Sequence, residues 1–570
     1  MWWKQITAAA VLGLAALATS FQNPIIPGFN PDPTITRAGK DYFLATSTFE
    51  YFPGAPIYHS RDLIDWKLIG HALNRPSQLN IRGTAPSGGM FAPTLRYHEK
   101  SKTFYLLTTV FDVIAPPDNN TNVMPRSFYV KTKNIWDEKA WSDPVYFDMH
   151  GFDPDLFIDD DGKAYLTTTF GAGEFVKDPG YFSVFITQVD LKTGDSLTDA
   201  KLLHVSTLPL DTPRLAEASH IFKKDGYYYL LTAEGGTELG HRAMIKRAKS
   251  LDGPWEENPS NPILHNGRDK SAPIQATGHA DFIQTPKGDW YTVFLAIRPQ
   301  APANASGIPQ LGRETFLAPM TWEKGQWPVI NGGEVVDLDV KGVLYDLKKP
   351  KVWRDEFDGK LADKAYYTPR TPYKQAVFLN ERKGYARIKG NVYTLGQRET
   401  PACLFRKQTE LETVFSTELE FNPKNKKHEA GATIFLSLHF HDNIAVTVNP
   451  DTNKPSIVAR TRSGKNADLK EVWEALPAGY SGPVRLFIKA ERHQYSLGYA
   501  LQTKTGGGKK GKEEWAQPKY LASVESKWLQ AWLDGWQNFV GSFFGIYATG
   551  NGLPIREPAD FKYIQTERLD

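Results

Sequence analysis

At 570 residues the chain exceeds one ordinary domain; roughly 100–200 residues per domain implies two or more, or one large repeat array with a partner. Lysine plus arginine number 67 against 64 for aspartate plus glutamate, so no net field draws the protein to nucleic acid or an anionic membrane, and an uncharged partner is expected. Aromatic residues make up 13% of the chain, which suits a β-rich protein whose rings stack on sugar faces and equally suits a large core.

Residues 1–20 read as a secretory signal peptide. Lys4 precedes an apolar run from Ile6 to Leu17, and Ala18-Thr19-Ser20 offers small residues for cleavage. The run is too short to span a bilayer, and no later apolar stretch reaches about 18 residues. A secreted, extracellular, soluble chain beginning near Phe21 is therefore expected. Cys403 is the only cysteine, so size rather than a disulfide framework must supply stability. Asn119-Asn120-Thr121 and Asn304-Ala305-Ser306 are glycosylation sequons, relevant only if export passes through an endoplasmic reticulum.

From residue 21 to about 340 one phrase recurs: a polar or small residue, a short strand, a turn, then an aromatic strand ending in Thr or Ser. The copies open at Asp32, Ala92, Asp153, Glu217 and His279, spaced by 60, 61, 64 and 62 residues. Each pairs with a second strand, as Asp153-Pro-Asp-Leu-Phe does with Gly162-Lys-Ala-Tyr-Leu-Thr-Thr. A period near 60 built from apolar alternation and Asp/Gly turns reads as one four-stranded sheet per copy. Five such sheets closing radially would make a five-bladed β-propeller. The opening residues would then face one central cavity, which makes neighbours of side chains more than 180 positions apart. A single copy is explained by Asp-Pro turn chemistry and strand propensity alone; five copies in register, three of them opening on an acid, are not.

After Asn331-Gly-Gly the phrase stops, and residues 350–570 become short alternating strands, among them Thr413–Phe421 and Val484–Lys489. This predicts a C-terminal antiparallel β-sandwich of concanavalin or jelly-roll type, so the whole chain is all-β. Thr505-Gly-Gly-Gly-Lys-Lys-Gly-Lys512 is low-complexity and reads as a solvated loop. Phe539-Val-Gly-Ser-Phe-Phe-Gly545 reads either as a buried strand or as a cap over a neighbouring pocket.

Carboxylates facing one cavity suit glycoside hydrolysis, which needs one carboxylic acid to protonate the leaving oxygen and one carboxylate to activate water or attack the anomeric carbon. A third acid can keep the donor protonated by like-charge repulsion. Sequence gives no separations, so inverting and retaining outcomes stay open on the residues alone.

Asn23-Pro-Ile-Ile-Pro-Gly-Phe-Asn-Pro-Asp-Pro-Thr34, Ser47-Thr-Phe-Glu-Tyr-Phe-Pro-Gly54, Gly151-Phe-Asp-Pro-Asp-Leu-Phe157 and Glu217-Ala-Ser-His220 closely resemble glycoside hydrolase family 43. So do Thr232-Ala-Glu-Gly-Gly-Thr237 and Leu311-Gly-Arg-Glu-Thr315, while Leu404-Phe-Arg-Lys-Gln-Thr409 is similar to the sandwich domain of many β-xylosidases in that family. The resemblance implies an inverting hydrolase with Asp32 as general base, Glu217 as general acid, and Asp153 as the group that tunes and orients the acid. It implies that Phe49 packs against the sugar and Arg313 binds its hydroxyls. His279 matches an axial histidine that in some members orients water or a divalent cation such as calcium; a hydrogen-bonded core histidine is the plainer alternative. One histidine without a ligand cluster does not make a direct metal site, so no cofactor is required, and calcium enters only as a hydrated ion near His279.

Two departures bear on substrate. Gly89-Met-Phe-Ala-Pro93 puts Phe91 where many family β-xylosidases carry tryptophan, and Thr169-Phe-Gly-Ala-Gly-Glu174 lacks a second tryptophan, so the leaving-group side must be built differently. Phe543 or Phe544 is a candidate ring over the pocket, with a plain core role the alternative. The expected activity is release of terminal β-D-xylosyl or α-L-arabinofuranosyl units from xylo-oligosaccharides or arabinoxylan, with β-xylosidase preferred. A non-catalytic sugar-binding propeller is the competing reading, and oligomeric state is not specified.

Overall fold

The structure, a computed structural model, describes residues 20–112, 125–171, 182–300, 309–341, 344, 350–464, 467–505, 512–529 and 538–569. The expected signal peptide up to Thr19, both sequons, Gly506–Gly511 and Ala172–Glu174 lie outside the described residues. Among the described residues the only helical elements are short 3-10 turns such as Glu138–Ala140, so the fold is all-β.

Each copy of the repeat folds into its own antiparallel sheet, four-stranded and in sequence order in four of them; the second departs from the expected four strands, because Gly89–Met90 and Thr94–His98 both pair with Thr103–Phe111. The first contains Thr34–Ala38, Asp41–Ala45, Gly54–Ser60 and Lys67–Leu73. The remaining four begin with Thr94–His98, Phe152–Ile158, Glu217–Lys224 and Gln275–Gln284. Glycines in the left-handed region, Gly39, Gly162, Gly226 and Gly288, turn the chain between first and second strands in four of the sheets.

The opening strands pack against one another in a closed circuit. Thr34–Ala38 touches Thr94–His98 and Gln275–Gln284; Phe152–Ile158 touches Thr94–His98 and Glu217–Lys224; the last two opening strands touch each other. A buried ion cluster ties the circuit together. Arg96 reaches Asp155 at 2.8 Å and Asp281 at 2.8 Å, and Asp281 also accepts bonds from the Thr34 hydroxyl and the Ile35 N–H. With both carboxylates paired and hydrogen-bonded, the charges are tolerated in the interior. Ser20–Gln22 pairs with Asp339–Lys341, clasping the two ends of this region.

The C-terminal region is a sandwich of two antiparallel sheets. One contains Thr413–Glu420, Val484–Glu491, Gln494–Thr505 and Ala559–Arg568; the other contains Ala402–Lys407, Phe543–Thr549, Glu429–Ser437 and Phe440–Val448. Alternate residues such as Leu486, Ile488, Ile434 and Ile546 fill the space between them.

The same apolar cluster takes in Phe29, Phe49 and Tyr51 from the N-terminal region, so the two domains share a core. Thr368–Pro369 adds to Tyr51–Phe52 as a short strand, and the fully buried Arg370 donates to the carbonyls of Glu50 and Thr84 at 2.6 and 2.8 Å. These contacts fix the second domain against the segment that carries Phe49.

Candidate active site

A cavity of about 350 Å³ opens where the sheets converge, lined by Asp32, Asp153, Glu217, His279, Arg313, Phe49 and Phe91. Seven of the eight residues expected at the site therefore meet there; the opening residue of the second sheet, Ala92, lines it as well.

The backbone explains how they point inward. Asp32, Asp153 and His279 have φ of 54°, 49° and 49°, and register shifts interrupt the strands at Phe152/Asp155 and on both sides of Gly278. Such bulges re-aim a side chain at a local cost, and they recur where function needs it. In the fourth sheet the pattern slips by one residue: Ala218, with φ 49°, takes the left-handed position, and Glu217 stands just before it.

Asp32 is gripped from two sides. Ser47 Oγ donates to its Oδ2 at 2.6 Å and Arg313 Nη1 to its Oδ1 at 3.2 Å, while His279 Nδ1 stands 3.6 Å from Oδ1. Arg313 also donates to Thr237 Oγ1 at 3.0 Å and to the Phe539 carbonyl at 3.3 Å. Its guanidinium lies 5.5 Å from the Phe49 ring centroid and 5.3 Å from that of Phe539. Gly312, beside it, has φ 77°, and a Cβ there would meet Gly541 Cα at 2.9 Å. Only glycine lets the second domain approach the arginine so closely.

The charges are unbalanced. Burial, then repulsion from Glu217 and Asp32, pushes the Asp153 carboxyl well above its ordinary range, against a hydrogen bond from the Ala218 N–H and the attraction of Arg313. Burial, then Asp32, raises Glu217 to about 7; Arg313 opposes this and Glu238 adds to it. Burial lowers His279 to about 4 despite Asp32, and lowers His241 to about 3, so both imidazoles are neutral near pH 7. Among the described lining residues Arg313 is then the fixed cation facing several carboxyls, and the cluster retains a proton at neutral pH. A site holding both a proton donor and a proton acceptor is what glycoside hydrolysis requires.

The expected place of Phe543 over the pocket is corrected. This residue is fully buried, stacked on Tyr51 at 4.1 Å and edge-on to Phe29 at 5.9 Å, and it forms part of the shared core rather than the pocket wall. The ring that the second domain does contribute is Phe539, which lines the cavity 5.5 Å from Phe49 and 6.0 Å from Phe91. Its N–H is held by Ser87 Oγ at 2.9 Å. Phe170 stacks on Phe185 at 3.8 Å, away from the lining; Phe152, Phe182, Pro213 and Leu215 build the remaining wall. Ser47, Thr237, Glu238 and His241 do not stand out in the sequence by themselves, although Ser47 and Thr237 lie in phrases that carry the family resemblance.

Among the described residues no group of three or more His, Cys, Asp or Glu side chains is arranged to hold a metal ion. The carboxylate beside His279 is Asp32, at 3.6 Å, which Ser47 and Arg313 already hold, and Asp155 and Asp281 are paired with Arg96. Among the described residues His279 thus has no ligand cluster around it for direct ligation of a metal.

Comparison with known proteins gives the same picture over nearly the whole chain. The profile of Glycosyl hydrolases family 43 matches residues 21–328, and that of the beta xylosidase C-terminal concanavalin A-like domain matches residues 354–567. A non-reducing end alpha-L-arabinofuranosidase of Bacteroides ovatus is 35% identical over 97% of this chain and 95% of its own. A beta-xylosidase of Bacillus subtilis is 31% identical over 95% and 98%. The crystal structure of a xylan beta-1,4-xylosidase from Bacillus halodurans superposes with a TM-score of 0.83 at 31% identity, covering 96% of this chain and 100% of that one. A cavity with a proton to give and a carboxylate to receive one is thus set in matching domains, and the protein belongs to glycosyl hydrolase family 43.

Proposed function

We propose that the protein releases single terminal pentoses from the non-reducing ends of xylo-oligosaccharides or arabinoxylan, acting chiefly as a β-xylosidase and with inversion at the anomeric carbon. The observation that carries this reading is the cavity itself. Four carboxyls, those of Asp32, Asp153, Glu217 and Glu238, and one arginine line a space of about 350 Å³, at the small end for ligand sites, with Phe539 of the second domain against the Phe49 and Phe91 rings.

In this mechanism the terminal sugar rests against Phe49 and Phe539, and Arg313 binds its hydroxyls. Asp32, fixed by Ser47 and Arg313, takes a proton from a water as its oxygen attacks the anomeric carbon. Glu217 gives its proton to the departing glycosidic oxygen as the bond breaks. Asp153 orients Glu217 and, by its proximity, disfavours a second negative charge. One proton is taken and one given, so the site returns to its starting state after product release and proton exchange with solvent.

The architecture we infer is a five-bladed β-propeller over residues 21–340 and a sandwich over 350–570. The sheet order, the closed circuit of opening strands and the matched spans support it. Secretion after removal of residues 1–20 belongs to the same reading and rests on the leader pattern.

An α-L-arabinofuranosidase is the second reading, favoured by the Bacteroides ovatus relative and by Phe91 at a position where tryptophan is common in the β-xylosidases. Hydrolysis of p-nitrophenyl β-D-xyloside and α-L-arabinofuranoside, run side by side, separates them. A higher kcat/KM on the xyloside supports the first reading and the reverse supports the second. Absence of hydrolysis on both, with retained pentose binding, would overturn the catalytic reading.

A further inference from the structure

Lys407 ends the Ala402–Lys407 strand of the sandwich and carries its ammonium into the interface between the domains. The residue is 8% exposed, and Nζ donates to Asn30 Oδ1 at 2.8 Å. It lies 5.3 Å from the Phe29 ring centroid and 4.9 Å from that of Tyr367. Among the described residues no carboxylate pairs with it, and burial pushes its pKa from 10.5 to about 7. A lone buried ammonium costs stability that an apolar side chain of similar length would not. Such a cost, beside the Phe29 and Tyr367 rings, points to work done elsewhere.

Its hydrogen-bond partner shows where. Asn30 stands two residues before Asp32, and its N–H donates to the Arg313 carbonyl at 3.0 Å. The Thr315 hydroxyl returns a bond to the Asn30 carbonyl at 2.7 Å. Asn30 therefore joins the segment bearing Asp32 to the segment bearing Arg313, and Lys407 holds its side chain from the other domain. Phe29, beneath the same ammonium, packs against Phe49 at 6.1 Å.

We propose that Lys407 is a positioning residue through which the C-terminal sandwich, by way of Asn30, sets the placement of Asp32 relative to Arg313. This rests on the reading of Asp32 as general base. Methionine at 407 would leave Asn30 Oδ1 with Tyr58 OH as donor at 2.7 Å, so no buried acceptor is orphaned.

The test uses the full chain on whichever aryl pentoside it hydrolyses. Lys407→Met is expected to lower kcat about tenfold, with KM within about twofold and a melting temperature equal to or above that of the parent. Asn30→Ala should lower kcat to a similar degree, and the double variant should lose no more than either alone. Unchanged kcat in Lys407→Met, a melting temperature that falls together with kcat, or additive losses in the double variant would each overturn the proposal. Lys407→Gln, read by the same kcat and KM split, serves if the methionine variant does not fold. Asp32→Ala run in parallel keeps the two questions apart: activity retained there overturns the general-base reading, whatever Lys407 does.

Discussion

Replacing Glu217 by glutamine should uncouple catalysis from stability in a pH-dependent way. The carboxyl is raised from an ordinary 4.5 to about 7, first by burial and then by Asp32. An acid whose folded pKa is raised contributes stability that is complete below the unfolded value and is lost as pH rises through the folded one. The parent chain therefore carries no penalty near pH 4, loses stability between about 4.5 and 7, and carries the full penalty above. The span from 4.5 to about 7 corresponds to about 3 kcal/mol, on the order of 5 °C in melting temperature for a domain of this size. Glutamine keeps the shape and never ionises. Glu217→Gln should melt with the parent at pH 4 and above it at pH 8, while losing hydrolysis because no proton reaches the leaving oxygen. Thermal melts at the two pH values, paired with release of pentose from a xylo-oligosaccharide, whose sugar leaving group needs the proton, read both effects. Parallel melting curves at every pH would refute the raised carboxyl, and retained hydrolysis would refute its role as donor.

The same raised acid sets an alkaline limb in kcat/KM, since a donor must be protonated, and activity should fall above about pH 7. Because Glu238 adds to that rise, Glu238→Gln should move the limb to lower pH; an unmoved or higher limb would exclude the coupling. Phe539→Ala removes a ring that faces Phe49, Phe91 and Arg313 but keeps the carbonyl that accepts from Arg313. Its expected cost is about 1–2 kcal/mol of sugar binding, or about 5- to 30-fold in KM. An unchanged KM would mean that the second domain does not contact the substrate.

Asp32, Asp153 and Glu217 were readable because the repeat places each at or close to the start of an opening strand, and a period near 60 survives whatever the sheets carry between. Two details were not readable from period alone. The left-handed residue of the fourth sheet is Ala218 rather than Glu217, a one-residue slip that alignment of the phrases hides. The ring from the second domain is Phe539 because the strand starts at Phe543. Phe543 turns to the shared core and the segment ahead of the strand reaches the pocket, which depends on docking between domains rather than on local pattern. The Arg96 cluster and Lys407 share that character: their partners lie far away in sequence, and no spacing rule reaches them.

The most direct measurement is proton NMR of the anomer released in the first minutes of hydrolysis of an aryl pentoside, before mutarotation. With Asp32 activating water while Glu217 protonates the leaving oxygen, the first sugar to appear should have the configuration opposite to that of the substrate. First release of the same anomer would contradict this arrangement, because it would require a covalent intermediate on one of the carboxylates.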